Sequence, residues 1–448
     1  MPSPLYYLAT FGVPASQTLI NLPMPINWNP ATNTIDFSGV NVLGLNTGSL
    51  PITLVSGAGG FDYLTVIAAL TAGKTRIVVV GNTTETGQFT LPSGANSILI
   101  TILPGVTVSL QGTSANSYWI GSNNSGSTGN IYFIGGGTIA VPAQATPILG
   151  QLYSNLGSVY WAFDNIIFSN AATDHNYVFQ LGAPNGFTRI TDCSISVTGA
   201  QIMNLTNAYV NGFYCRLSAV IQPEAIQGTN VSFSNMRFED IATSGSSTNN
   251  FIFLISSTMT SCISNLARSY MLVMGGKSIV SDFVDVGTAG VDIVGEASTI
   301  SNHILGFVSP NGSIGIGVGG DDFRAENCSV GLLSTSTSNA PNVPEVISNC
   351  LFSSVSASTL NCSYVRIQSC QFIGILLING TNSVAGTQVT NCDFGVPGAG
   401  TVASPLLQIT SGASGTILSE NRLNAATSYP TGIKDLGTGT QLSINSTW

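Results

Sequence analysis

The amino-acid sequence predicts an all-β solenoid in which one chain winds into stacked parallel turns, and three observations lead there. The first is a short pattern repeated at positions 193, 215, 236, 262, 283, 303, 328, 350, 370 and 392, seven of which are Cys193, Cys215, Cys262, Cys328, Cys350, Cys370 and Cys392. Met236, Phe283 and His303 fill the series, whose steps are 22, 21, 26, 21, 20, 25, 22, 20 and 22 residues. A near-constant period with small slips means one structural unit per turn, with insertions confined to loops.

The second observation is the residue before each of these positions: Asp192, Tyr214, Asn235, Ser261, Asp282, Asn302, Asn327, Asn349, Ser369 and Asn391. Asn and Asp tolerate the left-handed backbone region and bond to their own main chain, so their recurrence marks a tight bend. Stacked turns are expected to line these side chains up as an asparagine ladder. The third observation is alternation after the bend. Ile195, Leu217, Phe238, Leu305, Val330, Phe352, Phe372 and Phe394 fall two residues beyond the first inward position, with Ser194, Arg216, Arg237, Ser329, Gln371 and Asp393 on the outer face. A period of two is a strand. Strand, bend and strand every ~22 residues, stacked like on like, is a parallel β-helix with about 4.8 Å between turns.

The remaining elements follow in chain order. Residues 1–55 are rich in Pro, Asn and Thr, carry Trp28 and show no repeat, so they read as an attachment or oligomerisation segment. Gly60-Phe61-Asp62-Tyr63-Leu64-Thr65-Val66-Ile67-Ala68-Ala69-Leu70 suits a short helix, and Arg76-Ile77-Val78-Val79-Val80 a strand. Residues 56–430 form the coil, with longer turns before residue 190, as where Gly135-Gly136-Gly137 separates Ile131-Tyr132-Phe133-Ile134 from Thr138-Ile139-Ala140-Val141. About one turn per 22 residues gives ~15 turns and a rod of ~70 Å. Glu420-Asn421-Arg422-Leu423 reads as a last, degraded turn, and residues 431–448 as a cap or tail covering the open end or binding a neighbour.

With these residues in view, the coil resembles the right-handed parallel β-helix of the pectin-lyase-like superfamily, which includes viral and phage tailspikes. The recurrent bend asparagines carry the likeness, and residues 60–80 are similar to the helix and first strand that close the amino end of such coils. The resemblance covers roughly residues 56–430 and implies the right hand of the coil and the amino-terminal capping helix. It implies little about activity, because the fold hosts enzymes and inert proteins alike.

Composition narrows the function classes. Only 7% of residues are charged, Gly numbers 50, and the net charge is −9 with 11 Lys and Arg. Nucleic-acid binding depends on neutralising phosphates, so no nucleic-acid partner is expected. Mean hydropathy is +0.35, but apolar runs such as Ile98–Leu103 are strand-length, and no membrane span is expected. The first residues, Met1-Pro2-Ser3-Pro4-Leu5-Tyr6-Tyr7, lack the pattern of a secretory leader, which points to synthesis in a host cytoplasm. The cysteine spacing lacks the close pairs of a zinc site, and parallel stacked side chains suit packing better than bridging, so buried free thiols are expected. Cys362 lies off the series, on another strand.

Candidate chemistry is sparse among 20 acidic residues. The best adjacent pair is Asp321-Asp322, in Gly319-Gly320-Asp321-Asp322-Phe323, which resembles the paired aspartates of polygalacturonases. No Asn-Thr-Asp, Gly-His-Gly, Arg-Ile-Lys or Arg-x-Pro-x-x-Arg accompanies it, so a solvated turn is the reading preferred. Gly315-Ile316-Gly317-Val318-Gly319-Gly320 fits G-x-G-x-x-G but has no crossover helix behind it, and no cofactor or metal is expected. Asp174-His175 cannot act as a dyad if extended, because neighbours face opposite sides. His303 is expected as a hydrogen-bonded core residue. Asp285 takes an inward position one turn after Ser264, and a buried carboxylate must be paired or protonated. A loop turning it outward is preferred over burial beside Ser264. Asn-x-Ser/Thr triplets at Asn82, Asn204 and Asn379 are what this composition gives by chance.

Two functions remain. The first is a non-catalytic structural or adhesive component of a virus or phage surface, capsid-associated or a spike or fibre. It would be a homotrimer that meets other virion proteins through residues 1–55 or the carboxyl-terminal tail, with a host-surface glycan as possible ligand. The alternative is a tailspike-type polysaccharide depolymerase, hydrolase or lyase, whose acids come from different turns or from neighbouring subunits, with Asp321 and Asp322 the adjacent candidates.

Overall fold

The structure is a computed structural model that describes residues 52–447 and two earlier strands, 27–29 and 34–36, except for 112–117, 123, 143–149, 155, 172–176, 199–200, 218–224, 241–249, 268–269, 288–289, 296–301, 317–322, 336–344, 362, 381–383 and 397–400. The early strands, Asn27–Asn29 and Thr34–Asp36, pair antiparallel with each other. From Thr53 onward the named strands pair in parallel with the strands one turn away, so the architecture is the expected all-β parallel solenoid. The chain divides into two compact units, Met1–Val197 and Thr198–Trp448.

In the first unit a six-residue helix, α1 (Val66–Thr71), begins where Thr65 is extended and its hydroxyl accepts from Ala68 N. The Glu85 carboxylate, only 2% exposed, accepts from Val66 N at 2.7 Å and Ile67 N at 3.1 Å. Two otherwise orphaned helix amides are thereby satisfied. Arg76–Val79 then pairs with β1 (Gly94–Ile102), which is followed in parallel register by β2 (Ser127–Gly135), β3 (Ser158–Asp164) and β4 (Phe187–Thr191). Their alternation sorts the faces. Ile100, Phe133, Phe163 and Ile190 lie in register on the inner face, each wholly buried, and the Phe133 and Phe163 rings stack 5.2 Å apart.

The recurring bend is a backbone feature. Asn165, Asp192, Gly212, Asn235, Ser261, Asp282, Gly306, Asn327, Asn349, Ser369, Asn391, Glu420 and Ile444 all have φ between 50° and 67°. Two lie in the first unit and eleven in the second, so the regular coil has about 13 turns, slightly fewer than the ~15 expected. The series moves two sequence assignments. In one turn Gly212 takes the bend (φ 67°) and Phe213 the first inward position, so Tyr214 is not the bend residue and Cys215 sits two residues further along. In another, Gly306 takes the bend (φ 64°) and Phe307 the inward position. His303 is therefore a half-buried outer-face residue, Leu305 is 42% exposed, and the buried residues of that strand are Asn302 and Ile304. Glycine adopts φ > 0 without a side-chain penalty, so it replaces Asn at a bend.

The second unit shows why cysteine suits the first inward position. Cys328, Cys350, Cys370 and Cys392 occupy successive turns, all buried and free. Each thiol donates to the carbonyl two residues earlier, at 3.3, 3.1, 3.3 and 3.2 Å. A small apolar side chain with a weak donor fills the narrow corner and answers its carbonyl. Burial raises the thiol of Cys262 to about 12, which keeps it protonated and unreactive. All seven described cysteines are free; Cys362 lies outside the described residues. Two residues on, Phe352, Phe372 and Phe394 stack with centroids 4.6 and 5.1 Å apart. After Arg422–Leu423 the strands Ile433–Asp435, Gln441–Ser443 and Ser446–Thr447 pair in parallel with the preceding turn.

Asp285 departs from expectation as well: it is 2% exposed and inward. Its partner is one turn ahead, where Ser309 Oγ donates to Asp285 Oδ2 at 2.9 Å, and Gly287 N donates to Oδ1 at 3.1 Å.

Removing the middle ring of the phenylalanine stack tests this packing. Phe372→Ala is expected to lower the unfolding free energy by about 3–5 kcal/mol in urea titrations, and a loss below about 1 kcal/mol would contradict a close-packed column.

Candidate functional site

Alternation along β1 to β4 places a grid of side chains on the outer face of this sheet in the first unit. In register, one row reads Ser97, Asn130, Tyr160, Phe187; the next Leu99, Tyr132, Ala162, Arg189; the third Thr101, Ile134, Asp164, Thr191. Successive members of a row are one strand apart, about 4.8 Å. The Tyr160 and Phe187 rings stack at 5.8 Å with planes 5° apart, and Tyr132 leans on Tyr160 at 5.9 Å. Stacked rings present their edges outward, so this side of the grid offers ring edges and two phenol groups. Phe187 is 42% exposed.

The other side of the grid is ionic. Asp164 follows the inward Phe163, so it belongs to the outer face, yet it is only 4% exposed and its Oδ1 has no hydrogen-bond partner. Asp192, in the left-handed bend one turn on (φ 50°), follows Thr191, the in-register neighbour of Asp164. Burial first, and then the Asp192 charge, push the Asp164 carboxyl up to about 6, while Arg189 opposes the shift. Burial also raises the Asp192 carboxyl. Arg189 Nε donates to Thr191 Oγ1 at 3.2 Å, which holds the guanidinium on the outer face beside the acids. A carboxyl poised near neutrality beside a second acid on the next turn can hold or release a proton in the working range, and is a recognised mark of a functional site.

Of the candidates read from sequence, Asp321, Asp322, Asp174 and His175 lie outside the described residues, as do Gly317–Gly320. His303 and Asp285 belong to the second unit, and the acids of the grid to the first. Asp164, Arg189, Tyr132, Tyr160 and Phe187 were not singled out as functional, and Asp192 only as a bend residue. Their signal is a 27- to 28-residue spacing, from Tyr132 to Tyr160 to Phe187 and from Asp164 to Asp192, longer than the period of the later turns. No group of three or more His, Cys, Asp or Glu that could hold a metal occurs among the described residues. No helix among them is long and apolar enough to cross a membrane.

No family model matches the chain, and no curated relative matches it either. Among solved structures it is similar to Dex49A from Penicillium minioluteum, at 10% identity and a TM-score of 0.25, covering 81% of this chain and 60% of that one. The chain thus spans less than two thirds of the Dex49A chain it matches. It is also similar to the receptor-binding protein of bacteriophage Det7, a podoviral tailspike in a myovirus, at 12% identity and a TM-score of 0.24, covering 88% of this chain and 76% of that one. The parallel β-solenoid observed is consistent with the pectin-lyase-like fold that the sequence resembles.

The raised carboxyl has a stability consequence. A group that holds its proton more tightly when folded stabilises the fold at low pH and loses that contribution as pH rises from about 4 through about 6. Asp164→Asn is therefore expected to raise the unfolding free energy at pH 8 by about 1–3 kcal/mol and to change it little at pH 4. Equal destabilisation at both pH values would contradict the assignment.

Proposed function

We propose that this chain is a structural and adhesive component of a virus or phage particle surface, made in the host cytoplasm, and that the outer face of β1 to β4 docks a host-surface glycan. The observation that carries the reading is the grid itself. It gathers stacked ring edges, phenol and amide groups, and a buried carboxyl with one unsatisfied oxygen, Asp164 Oδ1, on one outward face. A buried oxygen left without a hydrogen bond is costly, and local rules are broken chiefly where a ligand or a reaction is served. Hydroxyl-rich sugars match a surface whose hydrogen-bonding groups repeat at the strand spacing.

Attachment through residues 1–55 or 431–448, assembly as a homotrimer, and stacking of the bend asparagines into a ladder belong to the same reading. Buried free thiols and a coil solvated by hydroxyls and amides support it.

A second reading has its own observation. Asp164 and Asp192 sit on adjacent turns, burial raises both carboxyls, and the Asp192 charge raises Asp164 further, which sets the two apart as a hydrolytic acid and its partner require. In that case the same face cleaves the glycan.

Glycan-array binding by the purified protein tests the first reading. Tyr160→Ala is expected to weaken binding of the captured glycan at least about tenfold, and unaltered binding would remove the grid from the interface. Release of reducing ends from that glycan, abolished in Asp164→Asn with binding retained, would establish the second reading over the first.

A further inference from the structure

In the second unit six successive strands lead into the bends: Ile279–Ser281, Asn302–Leu305, Phe323–Glu326, Glu345–Ser348, Val365–Gln368 and Gln388–Thr390. Val280, Ile304, Ala325, Ile347, Ile367 and Val389 lie in register on their inner face, none more than 1% exposed. The residue before each of these therefore belongs to the outer face. That outer row reads Ile279, His303, Arg324, Val346, Arg366, Gln388. Arg324 and Arg366 are exposed and His303 is half-buried; Lys277, also exposed, comes two residues before Ile279 at the margin of the row.

A basic row is out of keeping with the rest of the chain, whose net charge is −9 with 11 Lys and Arg and 2 His. At about 4.8 Å per strand, His303 and Arg324 stand one step apart, and Arg324 and Arg366 two steps, about 10 Å. Like charges held this close in register work against the fold. The neighbouring outer row, Ser281, Leu305, Glu326, Ser348, Gln368 and Thr390, contains a single acid, Glu326. Arg366 and Lys277 make no hydrogen bond or ion pair among the described residues. Positive charge that the coil leaves unbalanced is charge that an anionic partner can answer, and Ser281, Gln368 and Thr390 place hydroxyl and amide groups alongside it.

We propose that the row of His303, Arg324 and Arg366, with Lys277 at its margin, binds a linear polysaccharide that carries carboxylates on alternate sugars and lies across the strands. The charge spacing selects this partner. Duplex nucleic acid carries one charge per about 1.7 Å of its length, far denser than cations about 10 Å apart, and an acidic protein repels it. A pyranose unit in an extended chain has about the length of one inter-strand spacing, so carboxylates on every second sugar fall opposite Arg324 and Arg366, with the uncharged sugar between them over Val346. The guanidinium fork takes a carboxylate through two parallel hydrogen bonds. The sugar hydroxyls face the neighbouring row of hydroxyl and amide groups. This site belongs to the second unit and does not rest on the grid of the first.

Calorimetric titration of the full chain with a hyaluronan oligosaccharide, in which every second sugar carries a carboxylate, gives the test. Binding is expected, weaker by at least about fivefold in 200 mM than in 50 mM sodium chloride, and absent for the same oligosaccharide with its carboxylates reduced to alcohols. Arg324→Gln and Arg366→Gln are each expected to weaken binding at least about fivefold, whereas Tyr160→Ala, in the grid, is expected to leave it unchanged. No binding of hyaluronan, equal binding of the reduced oligosaccharide, or full binding by both arginine variants would overturn the proposal. Tighter binding of single-stranded DNA or of dextran sulfate than of hyaluronan would also overturn it, by giving the row to a denser polyanion. If Arg324→Gln does not fold, Arg366→Gln, which removes a side chain without partners among the described residues, still decides it.

Discussion

In-register parallel pairing is the constraint on which the rest depends. Each strand meets its neighbours about 4.8 Å away, so side chains at a given position form a column, and every column must tolerate its own neighbours. Rings stack on rings, as Phe352, Phe372 and Phe394 do. Thiols stack on thiols because cysteine is small and answers the bend carbonyl. Like charges one spacing apart repel, which fits a coil with 7% charged residues. The left-handed bend keeps the register, and the side chains that occupy it are those that accept φ > 0 at low cost. Ser261, Ser369, Glu420 and above all Ile444, a β-branched residue at φ 51° and 80% exposed, depart from this.

Much of this was legible in the sequence, because period and bend chemistry are local. The turns at Cys328, Cys350, Cys370 and Cys392 could be aligned by counting, since Asn or Ser precedes each. The turns with Gly212 and Gly306 could not: glycine makes the same bend without leaving the amide that marks it, and the count slid onto Tyr214 and Asn302. Asp285 was visible as an inward acid, but its partner Ser309 lies 24 residues on, behind the misplaced bend of that turn, so an outward loop was the better guess from sequence. The outer grid was hidden for another reason. Asp164 and Asp192 are neighbours only once β3 and β4 are set in register, whereas Asp321 and Asp322 are adjacent in the sequence itself.

Asp164, under the outer face, and Asp285, inside, are buried carboxyls on the strands of the coil. Each costs stability unless something answers it, and they are answered differently. Asp164 is held near neutrality, within reach of Asp192 and Arg189, where an arriving ligand can change the balance. Asp285 is locked by Ser309 and Gly287, which suits a fixed structural role rather than exchange with solvent. Outer and inner positions alternate along every strand, so one backbone plan presents a ligand surface and a packed interior without a separate domain for either.

The register of β1 to β4 carries both the fold and the site, and a distance between spin labels measures it directly. Cysteines introduced at Thr101 and Thr191, both on the outer face and three inter-strand steps apart, should label readily while the native buried thiols do not. The register predicts a backbone separation of about 14 Å and a single narrow distance distribution after allowance for the label arms. A slip of one residue would turn one label position into the core, so a site that resists labelling, or a broad and longer distribution, would contradict the account.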